Sequence, residues 1–111
     1  MSEDKLLSDC HLWLRNTYPQ TKGLAFHVAN ERIARNGYEG AKLKSKGVVP
    51  GVPDYFFFWG GRVLIIEFKT DKGRLSDNQK DVHLRLNNNG FAVEVVRSLE
   101  EFQNLISKFL C

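Results

Sequence analysis

The feature that most constrains this sequence is an apolar segment with the pattern of a β-hairpin. Two strand-like runs, Tyr55–Trp59 and Arg62–Phe68, are separated by Gly60-Gly61. A glycine pair between two apolar runs is a signal for a two-residue turn. The runs show no alternation of polar and apolar residues, so we expect the hairpin to be buried on both faces. The rest of the chain is therefore predicted to pack around this pair of antiparallel strands.

The register of the hairpin brings two acidic residues together. A two-residue turn pairs Trp59 with Arg62. In that register Asp54 lies opposite Glu67, with Cβ atoms about 4.5–5.5 Å apart, and Lys69 shares the face of Glu67. Two carboxylates at the end of a buried strand pair repel each other and raise each other's pKa, a conflict that a divalent cation removes. Because oxygen ligands without nearby cysteine or paired histidine suit a hard ion, we predict a Mg²⁺ or Mn²⁺ site.

Each of these fragments also has an ordinary structural interpretation. An aspartate after Pro53 is common in turns, and Glu-x-Lys is commonly a solvated strand face. Gln79 can close a capping box with Ser76 at the start of a helix. Glu3 can simply be a favourable carboxylate in the first turn of a helix. The residues alone leave these alternatives open.

Periodicity and capping signals predict the remaining elements. We expect helices over 2–18, over 39–46, between 76 and 89 and from 98 to 110, and strands over 24–28 and 91–96. This order predicts an α/β fold. Its mixed central β-sheet contains the antiparallel hairpin and a strand that joins it by a helical crossover, and helices flank the sheet. At 111 residues the chain is expected to form a single domain over 1–111.

Charge and cysteine usage favour some partners and exclude others. The net charge of +3 is compatible with a nucleic-acid partner. The densest basic stretch is either a solvated segment or a surface that contacts phosphates, and it contains Arg32, Arg35, Lys42, Lys44 and Lys46. No apolar run approaches membrane-spanning length, so no membrane association is expected. Cys10 and Cys111 fit no disulfide or metal pattern, which favours reduced thiols in a cytoplasmic setting.

The hairpin and its flanks resemble the PD-(D/E)xK nuclease core and, more narrowly, the VRR-NUC (virus-type replication-repair nuclease) domain. The residues that carry the resemblance are Gly51-Val52-Pro53-Asp54, Glu67-Phe68-Lys69 and Gln79. With flanking segments at 26–30, 39–47 and 73–76, it covers nearly the whole chain. It implies a restriction-endonuclease-like core and a stand-alone protein of the phage or prophage type, acting in a bacterial host cell.

The same resemblance implies roles for the residues of the hairpin. Asp54 and Glu67 would ligate Mg²⁺ or Mn²⁺ together with the main-chain carbonyl of Phe68. Lys69 would hold and polarise the attacking water and stabilise the negatively charged phosphorane. The hairpin would thus carry most of the catalytic machinery.

Two residues outside the hairpin complete the implied site. Gln79 would reach back from its helix to position the lysine or the water. Glu3 would complete the metal shell, directly or through water. His27 and Asn30 also fit the family pattern, but the resemblance gives them no role.

The expected function is therefore a metal-dependent, structure-selective DNA endonuclease that resembles Holliday-junction resolvases. The resemblance also implies a homodimer that acts on branched DNA such as a four-way junction. The alternative is a catalytically silent nucleic-acid-binding module with the same fold.

Overall fold

In a computed structural model, residues 1–29 and 37–111 are described. The helices in these ranges are α1 (Glu3–Thr17), α2 (Gly37–Ser45), α3 (Asp77–Asn88) and α4 (Leu99–Leu110), and a short 3₁₀ turn spans Pro19–Thr21. The strands are β1 (Ala25–His27), β2 (Tyr55–Trp59), β3 (Arg62–Phe68) and β4 (Val93–Val96). No helix of this part of the chain is long and apolar enough to cross a membrane.

The strands form one mixed sheet in the order β1-β2-β3-β4. β2 pairs antiparallel with both β1 and β3, whereas β3 and β4 are parallel. Helix α3 makes the crossover between these two parallel strands. Trp59 pairs with Arg62 and Tyr55 pairs with Ile66, which is the predicted hairpin register. The α/β fold, the hairpin and the crossover strand are thereby confirmed.

The hydrophobic core lies where α1 and α4 pack against the sheet and against each other. Ser2 caps the start of helix α1, because its hydroxyl accepts a hydrogen bond from the Lys5 amide at 3.0 Å. The helix ends at Thr17, shortly before Pro19, which starts the 3₁₀ turn. The largest fully buried side chains of the core include Leu6, Leu14, Tyr55, Phe57, Ile66, Phe68, Phe102 and Ile106. Aromatic residues from β2, β3 and α4 meet here, so the core directly supports the end of β3 that precedes Lys69.

The prediction that the hairpin is buried on both faces is confirmed for β3 and wrong for β2. In β3, every residue from 64 to 68 is buried. In β2, Phe58 is 45 % exposed and Phe56 is half-buried. Helix α3 contacts β4 and reaches Glu67 on β3, so it covers the sheet on the side away from β1. This placement leaves aromatic rings of β2 in contact with solvent.

The exposed rings form a continuous row across β1 and β2. Phe26, which is 43 % exposed, stacks with Phe56 and Phe58 at centroid distances of 6.4 and 6.0 Å. Phe56 and Phe58 are 6.5 Å apart. We call Phe26, Phe56 and Phe58 the aromatic face. It lies on the opposite side of β2 from the core residues Tyr55 and Phe57, because neighbouring strand residues point to opposite faces.

Candidate functional site

Asp54 is held immediately before β2 through both its main chain and its side chain. Its carbonyl oxygen accepts hydrogen bonds from the Val28 amide at 2.7 Å and from His27 Nδ1 at 2.8 Å. Its carboxylate oxygen Oδ2 accepts a hydrogen bond from the Phe68 amide at 2.9 Å. The carboxylate is therefore fixed across the hairpin at the carboxyl end of β3, as the predicted register required. His27, for which the sequence suggested no role, helps to hold this carbonyl.

Glu67 is the most deeply buried acidic group at this end of the hairpin, with only 1 % of the residue exposed. Burial, a hydrogen bond to Asp54 and the charge of Asp54, in that order of importance, raise the pKa of the Glu67 carboxyl to about 9. The Lys69 ammonium opposes this shift. The two carboxylates are thus close enough to interact strongly, as the sequence predicted. Burial nevertheless has a larger effect on the Glu67 pKa than the repulsion between the two charges.

Lys69 follows β3 and is also largely buried, at 7 % exposed. Its amide donates a hydrogen bond to the Val96 carbonyl at 3.0 Å, which prolongs the contact between β3 and β4. Its ammonium Nζ lies 4.0 Å from Oε1 of Glu3, which is in the first turn of α1. The amino end of α1 therefore meets the carboxyl end of β3, and Glu3 joins the three hairpin residues.

Gln79 forms the capping box that was the structural alternative for this residue. The Ser76 amide donates to Gln79 Oε1 at 2.9 Å, and the Gln79 amide donates to Ser76 Oγ at 3.1 Å. The side-chain oxygen of Gln79 therefore stabilises the start of α3. The capping box does not involve the side-chain nitrogen of Gln79. The predicted catalytic role of Gln79 therefore depends on this nitrogen.

Gly51 fixes the segment before Asp54 against the first turn of α3. Its φ is +89°, a left-handed value that glycine tolerates better than other residues. A Cβ atom at this position would lie 2.4 Å from the main-chain carbon and oxygen of Asn78. The two segments approach so closely that only a residue without a side chain fits.

The predicted nucleic-acid contacts lie on a different segment from the acidic site. Lys42, Lys44 and Lys46 are exposed at the end of α2 and just after it. Arg32, Arg35 and Asn30 lie outside the described residues. The exposed lysines are accessible to a polyanion, and their contact with DNA stays a prediction.

His83 is a residue of the site that sequence reasoning missed. It lies on α3, one helical turn after Gln79, and only 8 % of it is exposed. Its Nε2 atom is 3.0 Å from Oε1 of Glu67. Burial lowers the pKa of His83, the Asp54 charge raises it and the Lys69 charge lowers it. The spacing of four residues from Gln79 was the available signal, because such residues share a helix face.

The donor set fits a hard divalent ion that keeps several water ligands. Among residues 1–29 and 37–111, no three His, Cys, Asp or Glu side chains are gathered as a ready ligand set. Mg²⁺ is commonly held by one or two carboxylates, with water and substrate phosphate as further ligands. Asp54 and Glu67 supply two carboxylates, and burial together with the Asp54 charge disfavours the ionised form of Glu67. A bound cation would favour that ionised form.

Comparison with known proteins relates the chain to one family. The family described as VRR-NUC domain matches residues 6–100, a range that includes Asp54, Glu67, Lys69 and Gln79 but begins after Glu3. A solved structure of a VRR_NUC domain protein superposes with a TM-score of 0.79 over 97 % of this chain and 87 % of that one. The two sequences are 21 % identical, so this likeness concerns the fold alone. No curated protein matches the sequence.

Proposed function

We propose, because this chain belongs to the VRR-NUC domain family, that it is a metal-dependent, structure-selective DNA endonuclease. Membership of the family establishes a nuclease-type domain with the fold described above. The observation that carries the finer proposal is the convergence of two carboxylates and one ammonium group at one end of the hairpin. Asp54 Oδ2 is bonded to the Phe68 amide, and Glu67 interacts with both Asp54 and Lys69.

A Mg²⁺ or Mn²⁺ ion would be held by the side chains of Asp54 and Glu67. The main-chain carbonyl of Phe68 is the third proposed ligand, and Glu3 would contribute directly or through water. Such an ion would supply Lewis-acid catalysis, which neutralises phosphate charge and lowers the pKa of a reacting water.

Lys69 supplies positive charge that belongs to the protein itself. Phosphodiester hydrolysis adds negative charge to the phosphate oxygens in the transition state, and preorganised donors aimed at that charge accelerate the reaction. Because Lys69 is 7 % exposed, water screens its ammonium less than it screens a surface lysine. Its position beside Glu3 and Glu67 keeps the ammonium at the site. The side-chain nitrogen of Gln79 is proposed to help orient the lysine or the water.

The proposed substrate is branched DNA, and the proposed assembly is a homodimer. Two sites related by a two-fold axis suit the two symmetric strands of a four-way junction. The aromatic face supports this assembly, because three stacked and partly exposed phenylalanine rings are unusual on a surface that stays in water. The phosphate contacts are assigned to the basic stretch, which contains Arg32, Arg35, Lys42, Lys44 and Lys46.

The decisive test compares cleavage of a labelled four-way junction with cleavage of a matched linear duplex, in Mg²⁺ or Mn²⁺. We expect symmetric nicks in the junction that disappear when the metal is chelated. The variant Lys69→Met keeps the apolar stem and removes the charge, and it should lower the rate about 100- to 1000-fold. Lys108→Met is the matched control, since Lys108 is exposed on α4, outside the site.

Each other outcome contradicts a defined part of the proposal. Equal cleavage of duplex and junction would retain the chemistry and contradict the structure selectivity. Cleavage that Lys69→Met leaves unchanged would contradict the role of the lysine. Binding of DNA by wild type without any cleavage, in either metal, would favour the catalytically silent binding module.

A further inference from the structure

We propose that His83 is a positioning residue that fixes the orientation of the Glu67 carboxylate for metal binding. This inference rests on the proposed function, because it assigns Glu67 as a metal ligand. It concerns a residue to which the sequence motifs give no role.

The first support is the contact itself. Nε2 of His83 and Oε1 of Glu67 are 3.0 Å apart, and both side chains are buried, at 10 % and 1 % exposed. An ionised carboxylate can only accept hydrogen bonds. When Glu67 is ionised, His83 must therefore carry its hydrogen on Nε2 and donate it. The imidazole then holds Oε1 and restricts the orientation in which the carboxylate can meet a metal ion.

The second support is that the imidazole is carried by a rigidly placed helix. Helix α3 is fixed at its start by the Ser76–Gln79 capping box. Its first turn is also in close contact with Gly51, where no Cβ fits. His83 is the next residue on that face, so its ring is set relative to the hairpin before any ligand arrives.

The third support comes from the physical behaviour of metal sites. Hydrogen bonds to the ligating groups restrict their rotation and tune their basicity, and removal of such a partner typically weakens metal binding about 10- to 100-fold. Without the imidazole, the buried Glu67 carboxylate, which is 1 % exposed, would lose the donor 3.0 Å from its Oε1 atom. His83 thus acts on the metal through Glu67 and needs no contact with DNA.

The test is calorimetric titration of the full chain with Mn²⁺ and with Mg²⁺ in the absence of DNA. His83→Leu fills similar volume and removes the donor, and we expect its affinity for either ion to fall about 10- to 100-fold. In His83→Gln the side-chain nitrogen reaches a position similar to Nε2, and we expect near wild-type affinity. His11→Leu is the matched control, because His11 is a half-buried histidine whose Nδ1 is bonded to the Tyr55 hydroxyl at 2.7 Å. It should bind metal like wild type.

A purely structural role predicts a different pattern. If His83→Leu is less stable than wild type without metal but binds metal equally well, the inference is overturned while the proposed function stands. If wild type itself binds neither ion, the proposed function fails and this inference fails with it. The two failures are therefore distinguishable.

A second measurement keeps the inference testable should His83→Leu not fold. Long-range ¹H–¹⁵N correlation spectra of the Mg²⁺-saturated wild type report which ring nitrogen of His83 carries the hydrogen. We expect the hydrogen on Nε2. A hydrogen on Nδ1 alone, with Nε2 bare, would exclude donation to Glu67 and overturn the inference.

Discussion

At the scale of single residues, Glu67 is expected to make the stability of the metal-free protein depend on pH. Burial, followed by the hydrogen bond and charge of Asp54, raises the Glu67 pKa from 4.5 to about 9. Between these values the folded chain binds a proton that the unfolded chain releases. The stabilising contribution of this proton is fully present below the unfolded pKa and is lost as the pH rises through the folded pKa.

We therefore expect the free energy of unfolding of metal-free protein to fall between about pH 7 and pH 9, above the range in which the lowered pKa values of His11 and His83 act with the opposite sign. One such group contributes up to about 1.4 kcal/mol per pH unit in this window. Glu67→Gln carries no titrating proton, so its stability should depend less on pH and exceed that of wild type at pH 8. The measurement is urea unfolding in chelator at several pH values.

The control for this prediction is Glu94→Gln, because Glu94 is exposed on β4. It should keep the wild-type slope. If wild type and Glu67→Gln lose stability in parallel as the pH rises, the assignment of the slope to Glu67 is wrong. Added Mg²⁺ at pH 8 should stabilise wild type more than Glu67→Gln, because the ion competes with the proton for the same carboxylate.

The sequence predicted the acidic pair and missed its histidine partner for a physical reason. Asp54 and Glu67 are brought together by a two-residue turn, and the period of a strand carries that register along the hairpin. His83 reaches Glu67 only because a separate helix lies at a particular height and rotation above the sheet. Those quantities depend on loop geometry and side-chain packing, which a local pattern does not contain.

At the scale of elements, local signals predicted where helices and strands begin and end better than which faces they cover. Ser76 and Gln79 form the capping box that the sequence offered as an alternative, and the glycine turn sets the hairpin register. The burial of β2 was mispredicted because an uninterrupted apolar strand is compatible with a covered face and with an exposed one. Its second face is exposed since α3 packs toward β4.

The contact between the Gly51 segment and α3 leads to a prediction at this scale. We expect Gly51→Ala to destabilise the fold by more than the approximately 1–3 kcal/mol that left-handed backbone strain alone costs. The additional cost arises because a Cβ at this position would lie 2.4 Å from the Asn78 main chain. The substitution should also weaken metal binding, because it shifts the helix that carries His83.

Gly90→Ala is a closely matched control for this prediction. Gly90 has a φ of +88°, nearly the same as the +89° of Gly51. Among the described residues other than its two neighbours in the chain, no atom lies within 4 Å of the position that a Cβ on Gly90 would take. This variant should show the strain cost alone and bind metal normally. Equal losses of stability in urea unfolding of the two variants would contradict the importance of the close approach.

At the scale of the whole molecule, the sheet has two regions of different chemical character, one acidic and one aromatic. The acidic site lies at one end of the hairpin, in contact with Glu3 of α1 and His83 of α3. The aromatic face lies on β1 and β2, and β1 is a short edge strand of three residues. Exposed apolar side chains beside a sheet edge favour unwanted association unless a partner covers them. A second copy of the chain is the partner that we propose.

Substitution of Phe58 tests this assembly, since its ring stacks with both Phe26 and Phe56. We expect Phe58→Ser to weaken dimerisation about 30-fold or more, because truncation of a central aromatic residue typically costs about 2 kcal/mol or more. Sedimentation velocity over a range of concentrations measures the effect. Leu84→Ser, at a residue 58 % exposed on α3, should leave the dimer intact.

The Phe58→Ser variant also tests whether assembly is needed for paired cleavage of a four-way junction. Each protomer carries its own Asp54, Glu67 and Lys69, so a Phe58→Ser monomer should still bind metal and nick DNA. It should, however, lose the coupling between the two nicks of a four-way junction, because no partner then holds a second site on the opposite strand. Singly nicked junction should therefore accumulate. A wild type that is monomeric at every concentration, or a Phe58→Ser variant that still makes paired nicks, would contradict assembly through the aromatic face.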